Sequence, residues 1–141
     1  MQPISSFFKK IFAAVLALVM LLLPAQPAGD VQLMLPEITT DTETVAVTMT
    51  NHGDDVIGYG LDAFTVEKRT AFGWTPLQKT GNYVVAAVMM SLAPGETGTL
   101  HVNFPLVYGK TPDAGLYRFH FHYFVDTEKR IASVTFAVQP A

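Results

Sequence analysis

The 141-residue chain has no cysteine. That absence excludes disulfide frameworks, thiolate nucleophiles, thiolate zinc sites and a cysteine-linked lipid anchor. Charge is scarce too: 15% of residues are Asp, Glu, Lys or Arg, against roughly 25% in ordinary soluble domains. Long solvated tails and intrinsic disorder are thereby excluded. Basic residues are the minority, 9 against 12 acidic, so the electrostatic footprint of a nucleic-acid binder is missing. Beyond residue 28 the only serines are Ser91 and Ser133. Neither sits in a Gly-x-Ser-x-Gly elbow, and the glycines are spaced singly rather than in a phosphate-cradling loop. An enzyme is not expected, and no cofactor is.

Hydrophobicity is present but concentrated at the start. Lys9 and Lys10 precede an uninterrupted apolar run from Ile11 to Leu23. As a helix this run spans roughly 20 Å, short of the ~30 Å hydrocarbon core of a bilayer. Pro24 stops it, and Ala25, Gln26, Pro27 and Ala28 follow. A positive start, a short apolar helix and a small-residue exit predict a signal peptide over residues 1–28. Neither Ala25 nor Ala28 is preceded by an ideal small residue at the −3 position. An uncleaved anchor over residues 7–23 is therefore the competing expectation. The expected location is extracytoplasmic, secreted or at the cell surface, with membrane contact only through this segment.

Residues 30–141 are expected to form one domain. Lys9 and Lys10 aside, seven basic residues face the 12 acidic ones, a balance that suits solubility and disfavours anionic lipid or polymer partners. What recurs is a short β-rich run closed by turn residues. Strands are predicted over Val31–Leu35, around Val45, Val47 and Met49, over Ile57–Arg69, over Trp74–Leu77, around Leu100, Val102 and Phe104, over Leu116–Val125 and over Ile131–Val138. Glu128-Lys129-Arg130 is read as the turn before the last strand, and Gly58 and Gly60 suggest a bulge or a close backbone approach. Tyr83–Leu92 is apolar except for Ser91 and fits either a doubly buried strand or a short helix. Seven or eight antiparallel strands with turns every 8–15 residues indicate an all-β, immunoglobulin-like two-sheet sandwich behind an N-terminal signal helix.

A local signature sharpens that expectation. Asp113, Gly115 and Tyr117 have the D-x-G-x-Y spacing of a tyrosine corner, whose hydroxyl reaches back to upstream backbone. Phe119 stands two residues later, where antibody domains place a disulfide cysteine. Val45-to-Asn51, Gly73-Trp74-Thr75-Pro76-Leu77, Leu92-Ala93-Pro94-Gly95-Glu96 and Ala114-Gly115-Leu116-Tyr117-Arg118-Phe119 together resemble the bacterial Ig-like domains of small exported Gram-positive proteins. The resemblance covers roughly Val31 to Tyr123 and implies a non-catalytic extracytoplasmic module with no ligand residues to carry over. A weaker similarity links the same turn features to bacterial proteinase-inhibitor sandwiches.

Two sets of residues are candidates for binding. His120 and His122 alternate onto one face of a strand, about 7 Å apart, and supply two imidazoles. A metal site would need further donors, for which Asp62 or Glu67 on a neighbouring strand is a candidate; the plainer reading is a solvated outer face shared with Arg118. His101 also points outward, but from the other sheet. Trp74 is either an exposed anchor for a glycan or protein or a staple on its hairpin. Met89 and Met90 offer an adaptable strip or plain edge packing, and Asp54-Asp55 a solvated loop or a weak calcium site. The expected function is binding or structural work at the bacterial surface, with a protein or envelope component as partner. A loop-inserting inhibitor and a metal-binding domain through His120 and His122 are the alternatives.

Overall fold

The computed structural model describes residues 30–141; the signal-peptide expectation and its competing anchor lie outside the described residues. Ten strands and one short helix follow in order: β1 (Val31–Met34), β2 (Ile38–Thr39), β3 (Thr44–Asn51), β4 (Ile57–Gly60), β5 (Phe64–Thr70), β6 (Gly73–Pro76), β7 (Met89–Leu92), β8 (Thr97–Asn103), α1 (Phe104–Tyr108), β9 (Gly115–Val125) and β10 (Glu128–Gln139). They form two sheets. The smaller has the order β1-β3-β8; the larger has β2-β10-β9-β4-β7, with β5 also paired to β9 and β6 to β5. Strand β9 serves two partners on one edge, pairing β5 through Tyr117–Phe121 and β4 at Phe124.

Alternation explains the elements. In β3, Val45, Val47, Met49 and Asn51 are buried while the residues between them are partly covered, the period-2 pattern of a strand with one face on the core. Strand β9 carries the same rule furthest. Tyr117, Phe119, Phe121 and Tyr123 all point inward and are at most 4% exposed. Phe119 stacks on Phe64 at 5.8 Å, Tyr59 meets Phe121 edge-on at 5.2 Å, Phe121 stacks on Tyr123 at 5.6 Å, and Tyr117 stacks on Phe136 at 5.4 Å. Such pairs each contribute about 0.5–1.5 kcal/mol beyond their buried area, in a sandwich that has no disulfide. The recorded aromatic partner of Phe119 thus lies in its own sheet, not across the sandwich.

Turn chemistry fixes the ends. Gly95 has φ 82 after Pro94, and Glu96 N–H donates to the Ala93 carbonyl at 3.0 Å, as a type II turn requires. The Tyr117 hydroxyl donates to the Asp113 carbonyl at 2.7 Å. Asn51 is the one polar residue buried among the described residues. Its Nδ2 donates to the Asp55 and Leu92 carbonyls at 2.8 and 3.0 Å, and its Oδ1 accepts from Gly53 N–H at 3.0 Å. It ties the end of β3 in one sheet to the end of β7 in the other.

Several expectations need correction. Among the described residues there are ten strands rather than seven or eight, and β2 runs parallel to β10, so the pairing is not wholly antiparallel. The single strand expected over Ile57–Arg69 is broken at Leu61-Asp62, where Phe64 N–H turns back to the Asp62 carbonyl at 2.8 Å; β4 and β5 then pair with different stretches of β9. The β9–β10 turn is Asp126-Thr127, with Asp126 at φ 54, and Glu128-Lys129-Arg130 already belong to β10. Helix α1 has no apolar periodicity to reveal it; Asn103 caps it by accepting from Leu106 N–H at 3.0 Å, and Gly109 ends it at φ 89. Tyr83–Leu92 is neither a buried strand nor a helix. Only Met89–Leu92 pairs, as an edge strand on β4, while Val84 is 97% and Met89 65% exposed.

Candidate binding face

The outward residues of β9 are Arg118, His120, His122 and Phe124, alternating with the buried aromatics. Register decides what surrounds them. Glu67 of β5 stands opposite Arg118, Thr65 opposite His120, and Ser133 of β10 opposite His120 from the other side. On the β5–β6 hairpin, Arg69 stands opposite Trp74. Trp74 and the two histidines, separate candidates in the sequence, therefore share the outer face of the larger sheet. His101 lies on β8 of the smaller sheet, away from them.

A continuous network crosses this face. The Arg118 guanidinium lies over the Trp74 ring at 4.4 Å from its centroid, and that of Arg69 at 5.8 Å. Arg118 Nε donates to Glu67 Oε1 at 3.2 Å. The same oxygen accepts from His120 Nε2, and His120 Nδ1 meets Ser133 Oγ at 2.5 Å. A carboxylate on Nε2 fixes that nitrogen as the donor in neutral imidazole, so Nδ1 accepts the serine proton. The hydrogen bond from His120 holds the Glu67 carboxyl below its ordinary range, opposed by partial burial and helped by Arg118. The Glu67 side chain is only 20% exposed.

His122 is set differently. Its Nε2 meets Thr65 Oγ1 at 3.1 Å, while its Nδ1 is buried with no partner among the described residues. Desolvation lowers its pKa, and nearby Lys129, His120 and Lys79 push the same way. A proton arriving on Nδ1 would find no acceptor, so this imidazole resists charging.

These contacts limit the chemistry. Among the described residues no group of three His, Cys, Asp or Glu is placed to hold a metal. Both ring nitrogens of His120 are already engaged. Asp62, suggested as a further donor, lies at the break between β4 and β5, and it does not join the histidines in such a group. Ser133, His120 and Glu67 do stand in the series hydroxyl, imidazole, carboxylate, the connectivity of an activated nucleophile. Acyl transfer also needs two donors converging on the oxyanion. Strand amides lie in the plane of the sheet, whereas Ser133 Oγ stands above it, so the strand backbone supplies no such pair there.

Sequence reasoning missed Ser133, Thr65 and Arg69 as members of this face, and offered Glu67 only as one of two neighbours. A signal existed for Ser133. A two-residue turn at Asp126-Thr127 pairs Val125 with Glu128, and counting back along both strands places Ser133 opposite His120.

The arrangement is that of an immunoglobulin-like sandwich with one ordered outer face. A family model described as bacterial Ig-like domain matches residues 29–132, and the chain belongs to that family, whose members are typically non-catalytic. No curated protein matches the chain. Among solved structures, the chain is similar to the ASH/PapD-like domain 7 of human CEP192, at 13% identity and a TM-score of 0.38, with 85% of this chain and 91% of that one covered. It is also similar to the CsuC–CsuE chaperone–tip adhesion subunit pre-assembly complex of Acinetobacter baumannii, at 13% identity and a TM-score of 0.41, covering 77% of this chain and 57% of that one.

Proposed function

We propose that this protein is an extracytoplasmic, non-catalytic binding module that engages a protein or envelope component through the outer face of its larger sheet. One observation carries the reading: Trp74, Arg118, Glu67, His120 and Ser133 form an unbroken chain of contacts on a partly exposed surface. Each side chain is held by its neighbour before any partner arrives, so little rotamer entropy remains to be lost on binding. Tryptophan and arginine are also the residues that most often dominate interface energetics. Support for the location comes from the Lys9-Lys10 and Ile11–Leu23 pattern of the sequence.

The test is retention of fluorescently labelled protein on envelope preparations of a Gram-positive bacterium. Trp74→Ala is expected to weaken retention roughly tenfold, the loss of about 1.4 kcal/mol. His101→Ala, on the opposite sheet, is expected to leave it unchanged. Equal retention by the wild type and Trp74→Ala would remove this face from the function.

A further inference from the structure

We infer that the face takes an acidic, extended protein segment, whose carboxylates pair with Arg69 and Arg118. The inference rests on the reading of this face as the binding surface and adds the chemistry of its partner.

Charge is the first ground. Arg69 and Arg118 share the Trp74 end of this face, whereas Lys129, opposite the outward Phe124, stands about 20 Å further along β9. Glu67 is the acid set among them, and its Oε1 is already shared by Arg118 and His120. Among the described residues Arg69 has no ion-pair partner within 4.0 Å, whereas Arg118 has Glu67 and Arg130 has Asp30 and Glu128. The chain as a whole carries formal net charge −3, so this face is a basic island on an acidic protein. At a Debye length of ~8 Å the island acts on a docked partner largely independently of the distant acids.

Geometry is the second ground. Both guanidinium groups lie within 5.8 Å of one ring centroid. Two guanidinium groups held this near one ring repel one another, and an anionic partner that contacts both relieves that repulsion. Arg118 uses Nε on Glu67, leaving its two terminal nitrogens as a fork; Arg69 offers its whole guanidinium. Because Arg118 already covers the indole at 4.4 Å, a neutral sugar would have to displace it to stack there. That disfavours the glycan anchor expected of an exposed tryptophan.

The third ground is reach. Arg69 is two residues along β5 from Glu67, which stands opposite Arg118, a diagonal of roughly 7–8 Å. An extended peptide presents every second side chain about 7 Å apart, so acids at alternate positions match both arginines.

The experiment uses the purified protein and a labelled short peptide of alternating Glu and Thr, read by fluorescence anisotropy. The matched Gln–Thr peptide, polygalacturonate and polyphosphate are the comparison arms. Expected are binding of the Glu peptide, none of the Gln peptide, and an affinity that falls as salt rises. Arg69→Gln, which breaks no intramolecular ion pair, should weaken binding roughly tenfold while lowering the melting curve by no more than the loss of one exposed cation–π contact. Arg118→Lys should weaken it too, since a point charge cannot reproduce the fork. Equal binding of the two peptides, indifference to Arg69→Gln, or binding of the polysaccharide or polyphosphate alone would overturn the inference. Trp74-dependent retention on envelopes together with failure of the Glu peptide would sink the partner class and leave the face standing. Retention indifferent to Trp74 would sink the face itself.

Discussion

Asn51→Ala removes more hydrogen bonding from the core than any other truncation of one side chain in this sandwich. The asparagine is fully buried and replaces water for three backbone groups. Its Nδ2 serves the carbonyls of Asp55 and Leu92, and its Oδ1 serves the Gly53 amide. Alanine deletes all three bonds at once. The Leu92 carbonyl is the expensive loss, since Leu92 is 4% exposed and a stranded buried acceptor costs about 1–3 kcal/mol. Gly53 and Asp55 lie in a loop open to solvent, so their groups recover part of their hydration and cost about 0.5–1 kcal/mol each. The sum is about 2–5 kcal/mol, a large share of the 5–15 kcal/mol typical of a domain. Urea unfolding followed by tryptophan fluorescence and by circular dichroism checks it: the midpoint should fall at an unchanged slope. Asn51→Asp should cost at least as much, because it keeps the acceptor for Gly53 but points carboxylate oxygens at two carbonyls. A loss below about 1 kcal/mol for the alanine variant would falsify the view of Asn51 as the tie between the sheets.

Tyr117→Phe should lower stability by about 1 kcal/mol in the same assay, since it deletes only the bond to the Asp113 carbonyl; burial, the cause that pushes this phenol up to about 12, also keeps it protonated and donating at every pH used. Stability should fall in acid in two separable stages. His122 has a folded pKa below its ordinary 6.5, so the unfolded chain takes up protons first, and stability present above pH 6.5 is lost as pH drops through the folded value. Glu67, held below its ordinary 4.5, contributes stability present above pH 4.5 that is lost further down. Melting temperatures across this range on His122→Thr should lose the upper stage and keep the lower; an unaltered profile would remove His122 from the acid response.

The sandwich was legible because its information is local. Alternation in Val45–Met49 and Leu100–Phe104 shows which side is buried, and Pro94-Gly95 and Asp113-x-Gly115-x-Tyr117 show where the chain turns. The face was legible only by halves. His120 and His122 announce themselves as an outward pair, but Glu67 lies 53 residues from His120 in sequence, and only the β5–β9 register joins them. The break at Asp62 hid that register, since an unbroken Ile57–Arg69 strand assigns Glu67 no definite neighbour. Tyr83–Val88 misled for a different reason. A continuous apolar run is the signature of burial, yet this stretch is a connection that leaves β6 at Pro76 and reaches the edge strand β7 with Val84 and Val88 exposed. Composition reads hydrophobicity, whereas exposure depends on whether a second layer lies above.

Strand β9 couples the two halves of the molecule. One set of its residues, Tyr117, Phe119, Phe121 and Tyr123, fills the core; the other, Arg118, His120 and His122, builds the face. The side-chain period of a strand is 2, so a slip of one residue against β5 or β10 would exchange the sets. Expulsion of four aromatic rings costs about 1.5–3 kcal/mol for each, before the burial of an arginine and two histidines is counted. That total, about 6–12 kcal/mol for the rings alone, is comparable with the whole stability of an ordinary domain. The polar network of the face therefore does not have to set its own register. Aromatic burial sets it, and by doing so brings Glu67 and Ser133 to His120 and leaves the guanidinium of Arg118 on Trp74.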